Sequence, residues 1–326
     1  MPTEPDLHYW LSLTEQQLED IPPRLKRDHP VHTSRALQPG DLPDDIKLVV
    51  ADMDGTLLDE TGGIPDTFWP ILARLVERGI VFAPASGRQY SALAGMFAQA
   101  GPGVALIAEN GAFVVRDGQE VSSSLVDAEF SAHAVTVARE IAKAHNIGLV
   151  WSGRRSAYIE RADAAFVEQV GWFYTSLEVV DDLMQVPEQA LKFAVYDFDG
   201  GSAGSRALLT EALQPFQVVM SSEHWMDIMD PGVNKGVALR ALRGVLDATP
   251  DQTMVFGDYL NDLEMFAEAT HSFAMTNAHT KLLRAARYVA PSNREHGVIT
   301  TLAQLLEVPV RDLEPAPSQR SRGRLL

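Results

Sequence analysis

The chain has 326 residues, 46% of them apolar, and a formal net charge of −17 at pH 7. That length suits one large domain or two modest ones, with enough apolar residues for a sizeable core. The acidity argues against nucleic acid and anionic membranes as partners. The lack of any cysteine excludes disulfides, thiolate metal sites and a cysteine nucleophile.

The start, MPTEPDLHYWLSLTEQQLED, is acidic and lacks the basic and apolar segments of a secretory signal. No apolar run is long enough to span a membrane, and the absence of cysteine favours a cytoplasmic location. Residues 1–44 read as an N-terminal extension rich in proline, with a short helix near Glu15–Asp20. Ile46–Ala51 is an apolar, β-branched run that suits a strand buried on both faces. Asp66–Arg78 follows with Phe68, Trp69, Leu72, Leu75 and Val76 at helical spacing, and Gly79 stands where a helix ends. Ile80–Ala85 and Val104–Ala108 read as the next strands. Gly236–Leu246 reads as a helix, Thr253–Phe256 as a strand and Asp262–Glu268 as a helix. This alternation predicts a parallel sheet covered by helices, occupying 45–121 and 223–310.

Residues 122–222 have a different texture and read as a second α/β domain inserted into the first. Helices are expected over Ala128–His145 and Ala162–Val170. Strands are expected over Gly148–Trp151, Ala157–Glu160, Leu191–Asp197 and Gln217–Met220. Residues 311–326 read as a disordered basic tail.

The chemistry concentrates in four segments. Asp52-Met53-Asp54-Gly55-Thr56-Leu57-Leu58-Asp59 follows the first buried strand. Two carboxylates two apart point to opposite sides of an extended backbone, so each can do a different job, and Gly55 lets the chain turn sharply. Taken alone, Asp-x-Asp-Gly equally fits a polar turn after a strand. Ser86-Gly87-Arg88 ends the second strand and offers a hydroxyl and a closely approachable amide. Asn234-Lys235-Gly236 opens a helix, where a lysine adds charge to amide donors. Gly257-Asp258-Tyr259-Leu260-Asn261-Asp262 supplies further carboxylates. In an open α/β sheet such strand ends share one ligand-binding edge. Clustered carboxylates repel, and oxygen-only ligands that must meet phosphate favour Mg²⁺.

These segments, in this order, resemble the four motifs of the haloacid dehalogenase superfamily of phosphohydrolases. Glu109-Asn110-Gly111-Ala112, Ala274-Met275-Thr276-Asn277-Ala278, Ser292-Asn293 and His296-Gly297-Val298 resemble its Cof-type branch. The resemblance covers about Ile46 to Leu306 and implies a Rossmann-like parallel-sheet core with an inserted α/β cap. It implies that Asp52 attacks phosphorus and that Asp54 is the general acid and base. Mg²⁺ would be held by Asp52, the Asp54 carbonyl and Asp258. Ser86, Gly87 and Lys235 would bind the phosphoryl group, with Asn261 and Asp262 as orienting residues. Arg88 and Asn110 are the substrate-contact candidates; a surface salt bridge is an equal reading of Arg88. A cap implies a small phosphorylated metabolite, a sugar or cofactor phosphate, as substrate. A phosphomutase or phosphotransferase, or a phosphorylatable module without turnover, is the alternative. Oligomeric state is not legible.

Asp197-Phe198-Asp199-Gly200 repeats the Asp-x-Asp-Gly pattern but lacks the following threonine and apolar pair, and is read as a tight turn. His145 is expected on a helix surface, with His224 and His296 near the site edge. Trp69, Trp151, Trp172 and Trp225 are expected in the core.

Overall fold

A computed structural model describes residues 35–36, 43–200 and 204–308. The expected helix near Glu15–Asp20 and the tail at 311–326 lie outside the described residues. The elements, in chain order, are β1 (Arg35–Ala36), β2 (Leu48–Asp52), α1 (Phe68–Glu77), β3 (Val81–Ala85), α2 (Tyr90–Met96), β4 (Ala105–Ala108), β5 (Phe113–Arg116) and β6 (Gln119–Ser123). There follow α3 (Ala128–Ile141), β7 (Ile147–Ser152), β8 (Ala157–Ile159), α4 (Ala164–Gly171), β9 (Leu177–Val179), β10 (Lys192–Asp197), α5 (Ser205–Ala212), β11 (Gln217–Met220) and β12 (Trp225–Met229). The last are α6 (Lys235–Leu246), β13 (Thr253–Gly257), α7 (Leu263–Ala267), β14 (His271–Met275), α8 (Thr280–Ala285), β15 (Tyr288–Ala290) and α9 (Gly297–Leu305). The chain is an α/β protein with parallel-strand pairing, as its alternating pattern predicts.

The described residues fall into two compact units. The first contains Ala51–Ile71, the described residues of Met1–Ile46 and those from Pro250 onward. In it β13, β14, β15 and β1 pair in parallel, with Met254 opposite His271, Phe273 opposite Tyr288 and Arg35 opposite Tyr288. Phe256, Phe273 and Tyr288 stack in succession at 4.8 and 4.9 Å between ring centroids. All three are buried. A fully buried ring of this size contributes roughly 1.5–3 kcal/mol.

The second unit contains Lys47–Val50 and Leu72–Thr249, and so holds all of the stretch read as an insertion. β2 begins in this unit and ends in the first. β3 and β4 are parallel, with Ala85 opposite Ile107, and β4, β5 and β6 continue as an antiparallel meander. Further along, a six-stranded sheet runs in the order β11-β12-β10-β7-β8-β9. It is antiparallel except for β8 and β9. Alternation along β10 divides its side chains between two apolar clusters. Phe193 packs with Phe130, Ala134, Leu209 and Ile228. Ala194 packs with Val150, Phe166 and Val170 on the other cluster. Helices α3 and α5 supply the first cluster and α4 the second. The Asp127 carboxylate caps α3 by accepting the Phe130 N–H at 2.8 Å, worth about 1 kcal/mol.

Several expectations need correction. The helix expected over Ala128–His145 ends at Ile141, because Lys143 and Ala144 bond to carbonyls only three residues back and tighten the chain into turns. The β5–β6 hairpin was not anticipated, although its Asp117-Gly118 turn, with φ of 49° and 73°, carries a hairpin signature. Trp172, expected in the core, is 72% exposed, while Trp151 and Trp225 are buried and Trp69 is half-buried. Trp172 sits just beyond the end of α4, past the face that Phe166 and Val170 bury. His145 lies half-buried in the turn after α3 rather than on the helix.

Candidate active site

β2 is buried along its whole length and delivers Asp52, 7% exposed, at its carboxyl end. Beyond it Met53–Leu57 forms a wide turn closed by the Leu58 N–H donating to the Met53 carbonyl at 2.9 Å. Asp54 is extended, with φ −77° and ψ 120°, and is exposed, so the two acids of the motif occupy different environments. Gly55 then takes φ +80°, and a Cβ there would stand 2.4 Å from Asp258 Oδ2. The residue is glycine for two reasons: a left-handed backbone and a carboxylate against its α-carbon.

Asp258 follows β13. Its Oδ1 accepts the Thr56 hydroxyl at 3.1 Å, and its carbonyl accepts the His279 N–H at 2.8 Å. Asp262 is fully buried, and its Oδ2 accepts the N–H groups of Asp258 at 3.0 Å and Tyr259 at 3.2 Å. Ligand oxygens of Asp52, Asp258 and Asp262 all lie within 4.8 Å of one another. The resemblance placed Asp262 among the orienting residues. In the structure its carboxylate accepts those two amides and also reaches the cluster. Asn261 is exposed. At about 4 Å two like charges cost about 4 kcal/mol at an effective dielectric of about 20. An all-oxygen donor set of this kind fits a hard divalent cation, and the cluster can hold one.

Two asparagines fasten the turn that carries Asp54. Asn277 Nδ2 donates to the Gly55 carbonyl at 2.9 Å, and Asn293 Nδ2 donates to the Leu58 carbonyl at 2.9 Å. The Asn293 N–H in turn donates to Asn277 Oδ1 at 3.2 Å. Sequence reasoning singled out both segments as family-like but gave neither residue a task. The signal available was an asparagine in a loop just after a buried strand.

The second unit assembles the other motif residues among themselves. Ser86, 2% exposed, directly follows β3, and its hydroxyl accepts the Arg88 N–H at 3.2 Å. The Asn110 N–H donates to the Ser86 carbonyl at 2.9 Å, and the Glu109 N–H to the Arg88 carbonyl at 3.1 Å. Gly87 packs against the Asn110 amide, which would lie 3.0 Å from a Cβ added there. Glu109, Asn110 and Gly111 have φ of 53°, 55° and 99°. Left-handed backbone at a residue other than glycine costs about 1 kcal/mol or more, so the turn is held by its surroundings. Gly111 fits because its Cα faces the Asn234 carbonyl, 2.4 Å from a would-be Cβ. Asn234 Oδ1 caps α6 by accepting the Val237 N–H at 2.9 Å, and Lys235 is 1% exposed at the helix start. Ser86, Gly87, Arg88, Asn110 and Lys235 are thus gathered through the 109–111 turn.

Beneath that turn lies a charged cluster that sequence reasoning missed. Lys192 Nζ sits 3.0 Å from Asp227 Oδ1 and 3.2 Å from Glu109 Oε2, and donates to the Gly87 carbonyl at 3.0 Å. Ser152 donates to Glu109 Oε1 at 2.8 Å. Burial works against the Lys192 charge, but Asp227, Tyr174 and Glu109 hold the ammonium well above the usual lysine value. Burial raises the Glu109 carboxyl, only partly offset by Lys192 and Ser152.

The second Asp-x-Asp-Gly is a turn. Asp197 Oδ1 accepts the Asp199 N–H at 2.9 Å, its Oδ2 accepts the Ser205 hydroxyl, and Gly200 has φ +86°. His224 Nδ1–H donates to the Asp197 carbonyl at 2.7 Å, within the six-stranded domain. His296 adopts φ 54° at the start of α9.

A family model described as haloacid dehalogenase-like hydrolase matches residues 49–302, and the chain belongs to that family. Among its relatives is the 5-amino-6-(5-phospho-D-ribitylamino)uracil phosphatase YbjI of Escherichia coli, 32% identical over 265 residues that span 80% of this chain and 97% of that one. The HMP-PP phosphatase of Cronobacter sakazakii is 28% identical over 73% of this chain and 86% of its own. A solved structure from Streptococcus mutans is 29% identical, with a TM-score of 0.70 over 80% of this chain and 99% of that chain. A haloacid dehalogenase-like hydrolase from Bacteroides thetaiotaomicron, at 23% identity and a TM-score of 0.71, shares the fold. The chain is accordingly a phosphatase-family enzyme with a parallel-sheet α/β core. Among the described residues no helix is long and apolar enough to cross a membrane.

Proposed function

We propose that the protein is a Mg²⁺-dependent phosphatase of a small phosphorylated metabolite that works through an aspartyl-phosphate on Asp52. The observation that carries this reading is the gathering of Asp52, Asp258 and Asp262 oxygens within 4.8 Å beside the exposed Asp54 on one pinned turn. A bound divalent cation would supply charge neutralisation for the phosphate and the nucleophile; Asp52, the Asp54 carbonyl and Asp258 would hold it, with Asp262 fixing Asp258.

In the first step a carboxylate oxygen of Asp52 bonds to phosphorus, the bond from phosphorus to the ester oxygen breaks, and Asp54 gives that oxygen a proton. In the second, Asp54 takes a proton from water, the water oxygen attacks phosphorus, and Asp52 leaves as free carboxylate. Ser86, the Gly87 amide and Lys235 bind the transferring oxygens, since phosphoryl transfer depends chiefly on positioning and charge stabilisation. Arg88 and Asn110 contact the leaving group. Residues 122–222 form the cap that closes over it, and the protein works in the cytoplasm as an enzyme of small metabolites.

The relatives' names make 5-amino-6-(5-phospho-D-ribitylamino)uracil the first substrate to try. Phosphate release from a panel containing it, HMP-PP, sugar phosphates, FMN and pyridoxal phosphate tests the reading. Mg²⁺-dependent release from at least one compound supports it, and none from any compound, with correctly folded protein, rejects it.

A further inference from the structure

The Lys192 cluster has no part in the chemistry above, yet it touches the residues assigned to phosphate binding. Lys192 is 3% exposed, Glu109 0% and Asp227 6%. This ammonium donates to the Gly87 carbonyl and is ion-paired with Asp227 Oδ1 and Glu109 Oε2. Asp227 lies on β12 of the six-stranded sheet, Glu109 in the turn after β4, and Gly87 in the Ser86–Arg88 loop. Asn110 adds a long contact to Asp227, 3.5 Å from Nδ2 to Oδ2. Glu109 is also the first residue of the strained 109–111 turn, which bonds to Ser86 and Arg88 and abuts Asn234.

From this arrangement we infer that Lys192 is a positioning residue: its buried ammonium holds the Gly87 carbonyl and the 109–111 turn in the geometry that binds phosphate. A fully buried salt cluster is poor evidence of stabilisation, because desolvation offsets much of the attraction. Its value lies in direction: a point charge with three fixed partners joins a strand of the insert to two loops at once. The phosphate-binding part of the inference rests on the phosphatase reading; the part about loop geometry does not.

Two variants test it. Lys192→Met removes the ammonium and leaves two buried carboxylates. Lys192→Met/Glu109→Gln/Asp227→Asn removes the charges together, so folding survives without the tripod. For each, hydrogen exchange is followed at the Glu109 and Asn110 amides, with α3 as internal reference. Inhibition by inorganic phosphate, and kcat and KM for p-nitrophenyl phosphate, are measured alongside. In both variants the two amides should exchange at least tenfold faster while α3 is unchanged. The inhibition constant for phosphate and the KM should each rise at least tenfold, with kcat falling less. In the triple variant the melting temperature should recover while these defects remain. Recovery of exchange protection and phosphate affinity together with stability would overturn the inference, as would changes under twofold in both variants. If Lys192→Met does not fold, the triple variant alone decides. If the wild type binds no phosphate and releases none, the phosphatase reading fails, while hydrogen exchange still decides whether Lys192 holds the loops.

Discussion

In the first unit, Asp52, Asp258 and Asp262 set three oxygens of like sign within 4.8 Å, next to an exposed Asp54. In the second, Glu109 and Asp227 are nearly sealed from solvent and share one ammonium between them. Both clusters concentrate carboxylates: the second holds the Lys192 ammonium between them, and the first is an all-oxygen group that can hold a metal ion. Repulsion between carboxylates can be relieved by a bound metal ion or by an ammonium of the chain itself. Similar residue types therefore point to different tasks, chemistry in one place and geometry in the other.

The largest expected effect breaks the comparison outright. Asp52→Asn should lower phosphate release by about 10⁴-fold or more, as loss of a nucleophile does. Its melting curve should stay near wild type, and near-normal turnover would reject the nucleophile assignment. Stripping divalent ions with EDTA should silence the enzyme, with Mg²⁺ restoring it and raising the melting temperature by ligand linkage. Activity that persists in excess chelator would put the two clusters on the same footing.

Gly55→Ala should force its new methyl against Asp258 at a backbone angle alanine resists. A loss of about 1–3 kcal/mol in stability and at least tenfold in kcat is expected, read from urea unfolding and initial rates. Asn277→Ala removes one bond to the Gly55 carbonyl, and should cost about 1 kcal/mol and a several-fold fall in kcat. Unchanged kinetics there would show that the Asp54 turn keeps its shape without side-chain staples.

The smallest effect serves as a control away from both clusters. His271 is buried, bonded through Nε2 to the Asp251 carbonyl at 3.0 Å, and its Nδ1 has no partner among the described residues. Burial, with help from Arg287, lowers its pKa from 6.5. The folded protein therefore binds this proton less readily than the unfolded chain. The stability it contributes is present above pH 6.5 and is lost as pH falls toward the lowered value. His271→Gln should flatten the slope of unfolding free energy with pH in that window, and an unchanged slope would remove His271 as its source.

Much of this could be read from the sequence because it is local. Strand ends followed by Asp52, Ser86 and Asp258, and a helix opened by Asn234-Lys235, are patterns of a few residues each. The alternation of β-branched runs and helical spacing likewise indicated the α/β class, since each element buries its own face. The staples from Asn277 to Gly55 and from Asn293 to Leu58 join residues 222 and 235 positions apart, and no spacing rule predicts them. Nor could periodicity show that Trp172 would fall past the end of a buried helix face. Lys192 lay unmarked inside the strand expected over Leu191–Asp197; the pairing of β10 with β12 and the approach of the 109–111 turn brought it, Asp227 and Glu109 together. The sequence by itself determined which chemical groups exist and which short segments present them. Tertiary structure decided which charges share a site, because a carboxylate's role depends on its neighbours and its access to water, and both are fixed by contacts between distant parts of the chain.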